Sequence, residues 1–325
     1  MRIMIMKVLV FFGVAVLALT LSATAQTKEE AANLYNVGFA AFNTNKYSVA
    51  ITNFDQALDI VIKIGDEAND IRDNIIKLLP SCHYQLATAL NKNKKFVEAI
   101  AMFNKTAEVA RKFNDQSMVS KALDNIPPLY RILGNQEYVA KNYEKAKQYY
   151  NLGLKLNPDA TQTILELGLV YNKQAKQDSA LICFDKVIEV GTRINKPDDV
   201  MKAKNQARDL FLLKASNAEK AGMYEDAITE YQNALKYAPD NEAVYYKMAF
   251  ANYNLARWAD AEKAANKSLE YTLNLPEKAK VYFLLAGIAE AMRDIPNACV
   301  NYKNAVRNPK YKAQATARMV ALKCQ

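Results

Sequence analysis

The sequence predicts an all-α solenoid, about seven helix-turn-helix repeats closed by a C-terminal capping helix, and three observations carry that prediction. A small residue returns seven times, at Ala50, Ala99, Ala146, Ala180, Ala227, Ala261 and Ala298. Twelve residues before each lies another: Gly38, Ala87, Gly134, Gly168, Ala215, Ala249 and Ala286. Four residues after it an aromatic usually follows: Phe54, Phe103, Tyr150, Phe184, Tyr231 and Tyr302. Offsets of three and four keep residues on one helix face. The twelve-residue offset crosses a short turn, so each unit is an antiparallel helix pair. One such pair cannot bury its apolar face alone, and stacking several does.

The elements follow in chain order. Arg2 and Lys7 give a basic start, Val8 to Leu21 form an apolar run, and Ala23-Thr24-Ala25 fits a cleavage site. Residues 1–25 therefore read as a secretory signal, shorter than the roughly 20 apolar residues of a membrane span. The mature chain is expected to begin at Gln26 with no span of its own. Repeats are expected near 31–64, 80–113, 127–160, 161–194, 208–241, 242–275 and 279–312, with a capping helix at 311–325.

The central alanines are 49, 47, 34, 47, 34 and 37 residues apart. The three long intervals remain periodic around Ile60 to Leu79, Val109 to Ile126 and Val187 to Phe211. They are expected to lengthen the flanking helices by about two turns each, interrupted by turn signals at Gly65-Asp66, Asn114-Asp115 and Lys196-Pro197-Asp198. The sixth unit departs most, with Ala265 where an aromatic belongs and Asn252 at the usual Tyr site. Its packing is expected to be looser or differently shaped.

Composition narrows function by exclusion. The single histidine, His83, and the scattered cysteines offer no zinc spacing. No phosphate-binding glycine loop, dinucleotide fingerprint or nucleophile elbow occurs. No catalytic, metal or cofactor residue is assigned, and the chain is read as a non-enzyme. Without Arg2 and Lys7, 41 basic residues face 34 acidic ones, and the excess gathers at Lys303, Arg307, Lys310, Lys312, Arg318 and Lys323. A solvated terminal helix accounts for this cluster, and an anionic docking surface is the alternative. Export argues against a nucleic-acid partner. Cys299 opens a second helix and Cys324 closes the last one. If those helices fold antiparallel about Asn308 to Lys312, a disulfide can staple the cap. Cys82 and Cys183 read as small buried hydrophobes.

The pattern resembles the tetratricopeptide repeat, of roughly 34 residues. The fourth unit carries it in Ile164, Leu167, Gly168, Tyr171, Ala180 and Phe184. The third has Tyr130, Leu133, Gly134, Tyr143, Ala146, Tyr150 and Pro158, and the fifth has Phe211, Ala215, Tyr224, Ala227, Tyr231, Ala234 and Pro239. The resemblance implies a concave face lined by first helices. There, aromatics outside the repeat register become candidate partner contacts: Tyr35, Phe39, Phe42, Tyr84, Tyr246, Phe250, Tyr253 and Phe283, with Tyr138 on a comparable stretch. It also implies that a peptide-tail clamp of Lys, Asn and Arg is missing. The corresponding stretches read Tyr35 and Phe39, Tyr84 and Thr88, then Arg131 and Asn135. With an export signal, the resemblance suggests a scaffold of the bacterial envelope, periplasmic or else secreted, that binds a segment of another envelope protein. A receptor for a glycan or peptidoglycan fragment is the alternative. The oligomeric state is left open.

Overall fold

The computed structural model describes residues 27–325, so the expected signal lies outside the described residues. All regular structure among them is helical, in two compact units that divide after Pro158. The first holds α1 (27–43), α2 (Tyr47–Ile64), α3 (Asn69–Lys92), α4 (Phe96–Lys112), α5 (Gln116–Asp124), α6 (Ile126–Val139) and α7 (Tyr143–Leu156). The second holds α8 (Thr161–Lys173), α9 (Gln177–Arg193), α10 (Pro197–Lys220), α11 (Tyr224–Leu235) and α12 (Glu242–Asn254). It continues through α13 (Trp258–Tyr271), α14 (Leu275–Ala291), α15 (Ile295–Ala305) and α16 (Pro309–Ala321).

Within each pair the turn has one design. Five residues before every central alanine the backbone takes a left-handed conformation, at Asn45, Lys94, Lys141, Ala175, Gly222, Ala256 and Arg293. In the second pair, Lys94 N–H donates to Asn91 O at 2.9 Å and Lys95 N–H to Leu90 O at 2.9 Å. These bonds close the orphan carbonyls of the first helix and turn the chain back on itself.

The pair interiors explain the small residues. All seven central alanines are fully buried, as are the rings of Phe54, Phe103, Tyr150 and Phe184. A Cβ placed on Gly134 would lie 2.3 Å from the Tyr150 ring, and one on Gly168 2.7 Å from Phe184. Glycine lets the ring press against the first helix's backbone. In the sixth pair Ala265 leaves that slot without a ring, and Tyr253 of α12 fills space from the other helix. It packs edge-on to Trp258 at 5.3 Å and reaches Gly287 of α14. Asn252 is buried, with its amide donating to Met248 O at 2.9 Å.

Two of the three long intervals are filled by longer helices: α2 and α3 span 18 and 24 residues, α9 and α10 span 17 and 24. The middle interval corrects the expectation. There α6 stays at 14 residues and a separate nine-residue helix, α5, takes up the length. Asp115 starts α5 by accepting the Met118 N–H at 2.9 Å. Pro127 and Pro128 lack the N–H groups that would carry α5 into α6, and they occupy the first turn of α6 instead.

At the C-terminus Cys299 and Cys324 form a disulfide with a Cα separation of 5.5 Å. Cys82 and Cys183 are free and buried.

Candidate functional site

The first-helix aromatics are more engaged than the sequence suggested. Tyr35 meets Phe54 at 5.7 Å, Tyr84 meets Phe103 at 5.6 Å and Phe283 meets Tyr302 at 5.6 Å. Each partner lies nineteen residues on, because each of these aromatics stands three residues before its pair's small residue and shares that inward face. The expectation that these positions are spared from the Ala–aromatic packing is therefore corrected. Phe39 remains the most open of the set, 42% exposed and stacked on Tyr35 at 6.1 Å. Phe42 packs against Tyr47 at 6.0 Å, and Tyr138 against Tyr143 at 5.8 Å. Tyr84 lies under Lys121 of α5, whose ammonium is 4.5 Å from the ring centre, and its hydroxyl accepts the Asn125 amide at 3.3 Å.

Tyr246 holds the same register position, but nineteen residues on stands Ala265. Its half-buried ring lies under Lys280 of α14, with Nζ 4.9 Å away. Burial, then neighbouring phenols and carboxylates, pushes its hydroxyl above the ordinary phenol range. Phe250 is half-buried against the cluster that includes Ala249, Val281 and Leu285. Phe283 continues to Tyr311 of α16 at 5.4 Å. In the second unit, then, aromatics and cations join α12, α14 and α16 along one side.

Carboxylates join the first helices as well. Glu219 of α10 accepts the Tyr231 hydroxyl at 2.5 Å and Lys247 Nζ of α12 at 2.9 Å. Glu290 of α14 accepts the Tyr302 hydroxyl at 2.9 Å and pairs with Arg318 of α16. Both acid–base pairs span 28 residues, so they are the same contact two repeats apart. Burial and the Glu219 bond hold the Tyr231 hydroxyl well above the usual phenol range.

Between α10 and α12 the second unit opens a cleft of about 410 Å³, floored by Leu212, Tyr231 and Val244 and edged by Arg208, Asp209 and Lys247. A second cleft of about 650 Å³ lies among the end of α9, the first turns of α10 and the turn at Tyr237 to Asp240. Arg208 lines both. Its guanidinium donates to Asp209 Oδ1 at 2.8 and 2.9 Å and to Asn205 Oδ1 at 2.9 Å. Tyr237 stacks on Phe211 at 5.9 Å and donates to Asp185 at 2.8 Å. Burial first, then that bond, raises its hydroxyl to about 12. Sequence reasoning missed these clefts. The available signal was the long interval around Lys196-Pro197-Asp198, which lengthens both α9 and α10.

Reactive groups are quiet. His83 is buried with Nδ1 3.3 Å from Met102 Sδ, and burial pushes its imidazole down to about 4. Burial pushes the Cys82 thiol up to about 12 and the Cys183 thiol up to about 11, so neither is a thiolate at neutral pH. Among the described residues no three His, Cys, Asp or Glu side chains gather as a metal site. Among them also, no helix is long and apolar enough to cross a membrane.

Two family models match, one described as "TPR repeat" over residues 220–255 and one as "Tetratricopeptide repeat" over residues 140–160. A DnaJ homolog subfamily C member 7 homolog of Schizosaccharomyces pombe is 22% identical over 324 residues, 86% of this chain and 66% of that protein. The TPR repeat-containing protein MJ1428 of Methanocaldococcus jannaschii is 22% identical over 298 residues, 81% of this chain and 50% of that one. The chain thus spans from half to just under two thirds of these relatives. Among solved structures, the TPR2AB-domain complex of yeast Sti1 has 16% identity and a TM-score of 0.34, covering 90% of this chain and 95% of that one. A tetratricopeptide repeat protein from Parabacteroides merdae has 18% identity and a TM-score of 0.30, covering 92% and 100%.

Proposed function

We propose that this chain, a tetratricopeptide-repeat protein, is a non-catalytic interaction scaffold, exported to the bacterial envelope, that takes a segment of a partner protein along its first helices. The carrying observation is how the residues divide. Positions in the repeat register are consumed by packing inside each pair. The α10, α12 and α14 side keeps half-buried aromatics, paired cations and open clefts. Large aromatic side chains beside clefts are the usual anchors of protein interfaces. The imidazole of His83 and the thiols of Cys82 and Cys183 are buried. The disulfide between Cys299 and Cys324 fits an oxidising compartment.

The glycan reading has less support. A sugar would stack on an open ring face, whereas Lys121 covers Tyr84 and Lys280 covers Tyr246. Affinity capture from the native organism tests the scaffold. Tyr246→Ala and Phe250→Ala together should remove specific partners while the helical content stays unchanged. An identical partner set with the double variant would sink the assignment of these residues. N-terminal sequencing of the exported chain should begin at Gln26, and recovery of an intact, unprocessed chain from the cytoplasm would remove the envelope reading.

A further inference from the structure

We infer that the joined clefts of the second unit hold an extended acidic peptide segment, in which a carboxylate docks at Arg208 and apolar side chains enter on either side. The inference rests on the scaffold reading above and names the chemistry of its partner.

The larger cleft is lined by the residues that this long interval adds. An α10 of 24 residues carries Pro197 to Arg208 beyond the part that pairs with α11, against the last turn of α9 and the Tyr237 to Asp240 turn. Arg208 stands where the two spaces meet, so a chain crossing from one to the other passes its guanidinium. Volumes of about 410 and 650 Å³ are of the size that holds several side chains. An extended backbone advances about 3.3 Å per residue and alternates its side chains. That alternation suits a floor in which Leu212, Val244 and Val200 are apolar and the rim is charged. Met201, 58% exposed at the cleft edge, offers an adaptable apolar contact.

Charge selects an acidic occupant. Lys196 and Lys204 both line the larger cleft, both are exposed, and among the described residues neither forms an ion pair. Arg208 is held by Asp209 on its own helix, and Lys247 by Glu219. Asp240 is the one further acid on the lining. The uncompensated charge is therefore positive, and it flanks an arginine whose planar fork suits a carboxylate. An incoming carboxylate would share the guanidinium with Asp209 while Lys196 and Lys204 offset the added negative charge.

The experiment is selection of random dodecapeptides on the full chain, followed by fluorescence anisotropy with the best labelled peptide. Selected peptides should be enriched in Asp and Glu alternating with apolar residues. The exposed-site variant Lys196→Glu/Lys204→Glu, with an unchanged circular dichroism spectrum, should bind about tenfold more weakly, as expected for two rim charges. Affinity should fall as salt rises. Selection without acidic bias, or an affinity unmoved by the double variant, overturns the inference. If the selected peptides instead respond only to Tyr246→Ala/Phe250→Ala, the cleft assignment fails and the scaffold reading stands. Loss of partners in affinity capture judges that reading separately.

Discussion

At Gly134 the absence of one methyl group decides how closely Tyr150 can approach α6. The Tyr150 hydroxyl is also fixed there, donating to Asn135 Oδ1 at 2.5 Å, so the ring cannot slide aside to admit a Cβ. Gly134→Ala should cost about 1–3 kcal/mol, the usual penalty of overpacking a filled core, and lower the urea midpoint of the first unit. A midpoint equal to that of the parent chain would show that the ring has room the geometry denies. The left-handed turn residues make the opposite case. Ala256 has φ 56° with a methyl group that this conformation disfavours. Ala256→Gly should therefore stabilise the second unit by about 1 kcal/mol, read as a higher midpoint in the same titration, and a lower one would refute the strain argument. The two cases were not equally legible. The small residue twelve positions before the alanine announced close helix approach. Lys94, Lys141 and Arg293 gave no turn signal, because the motif is made by backbone hydrogen bonds and calls for no particular side-chain chemistry.

Among the elements, periodicity found the helix pairs and the repeat spacing but not how spare length is used. Sequence showed that the interval between Ala99 and Ala146 was long and helical. It did not show that Asp115 would cap a new helix and that Pro127 and Pro128 would end it, since a cap acts only once the preceding helix has stopped. The aromatic candidates suffered a similar limit. Helical spacing placed Tyr35, Tyr84 and Phe283 on a common face, and only the packed pair shows that the face points at the repeat ring. The capping staple was more legible, because two cysteines at the far ends of adjacent helices leave few alternatives. A disulfide closing a 25-residue separation contributes about 3 kcal/mol in the chain-entropy account. Reduction, or Cys324→Ser, should thus speed amide exchange in α15 and α16 by about a hundredfold while leaving α8 and α9 unchanged. Uniform acceleration across the second unit would mean that the staple supports more than the cap. No acceleration would mean that Arg318–Glu290 and the Phe283–Tyr311 contact hold α16 unaided.

For the whole molecule, the division after Pro158 separates its sensitivities to pH. His83 lies in the first unit, and burial lowers its imidazole from 6.5 to about 4. Above pH 6.5 the residue is neutral both folded and unfolded, so it adds no pH dependence. As pH falls from 6.5 to 4 the unfolded chain takes up a proton that the folded chain refuses, and stability is lost through that window. The full loss is on the order of 3 kcal/mol at pH 4. The sole tryptophan, Trp258, lies in the second unit, packed on Tyr253, and reports on that unit alone. Circular dichroism reports on both. Thermal melts between pH 6.5 and 4 should therefore show a dichroism transition that moves to lower temperature before the Trp258 fluorescence transition does. His83→Gln should remove most of that early movement. If dichroism and fluorescence fall together at every pH, the two compact units unfold as one and the acid sensitivity cannot be assigned to His83. If they separate but His83→Gln changes nothing, the division stands and the carboxylates of the first unit become the source. Glu137 is the first to test there, because hydrogen bonds from Lys145 and Asn142 lower its pKa, and a lowered carboxylate loses its stabilising contribution as acid is added; Asp55, raised by burial and by Asp59, acts in the opposite direction.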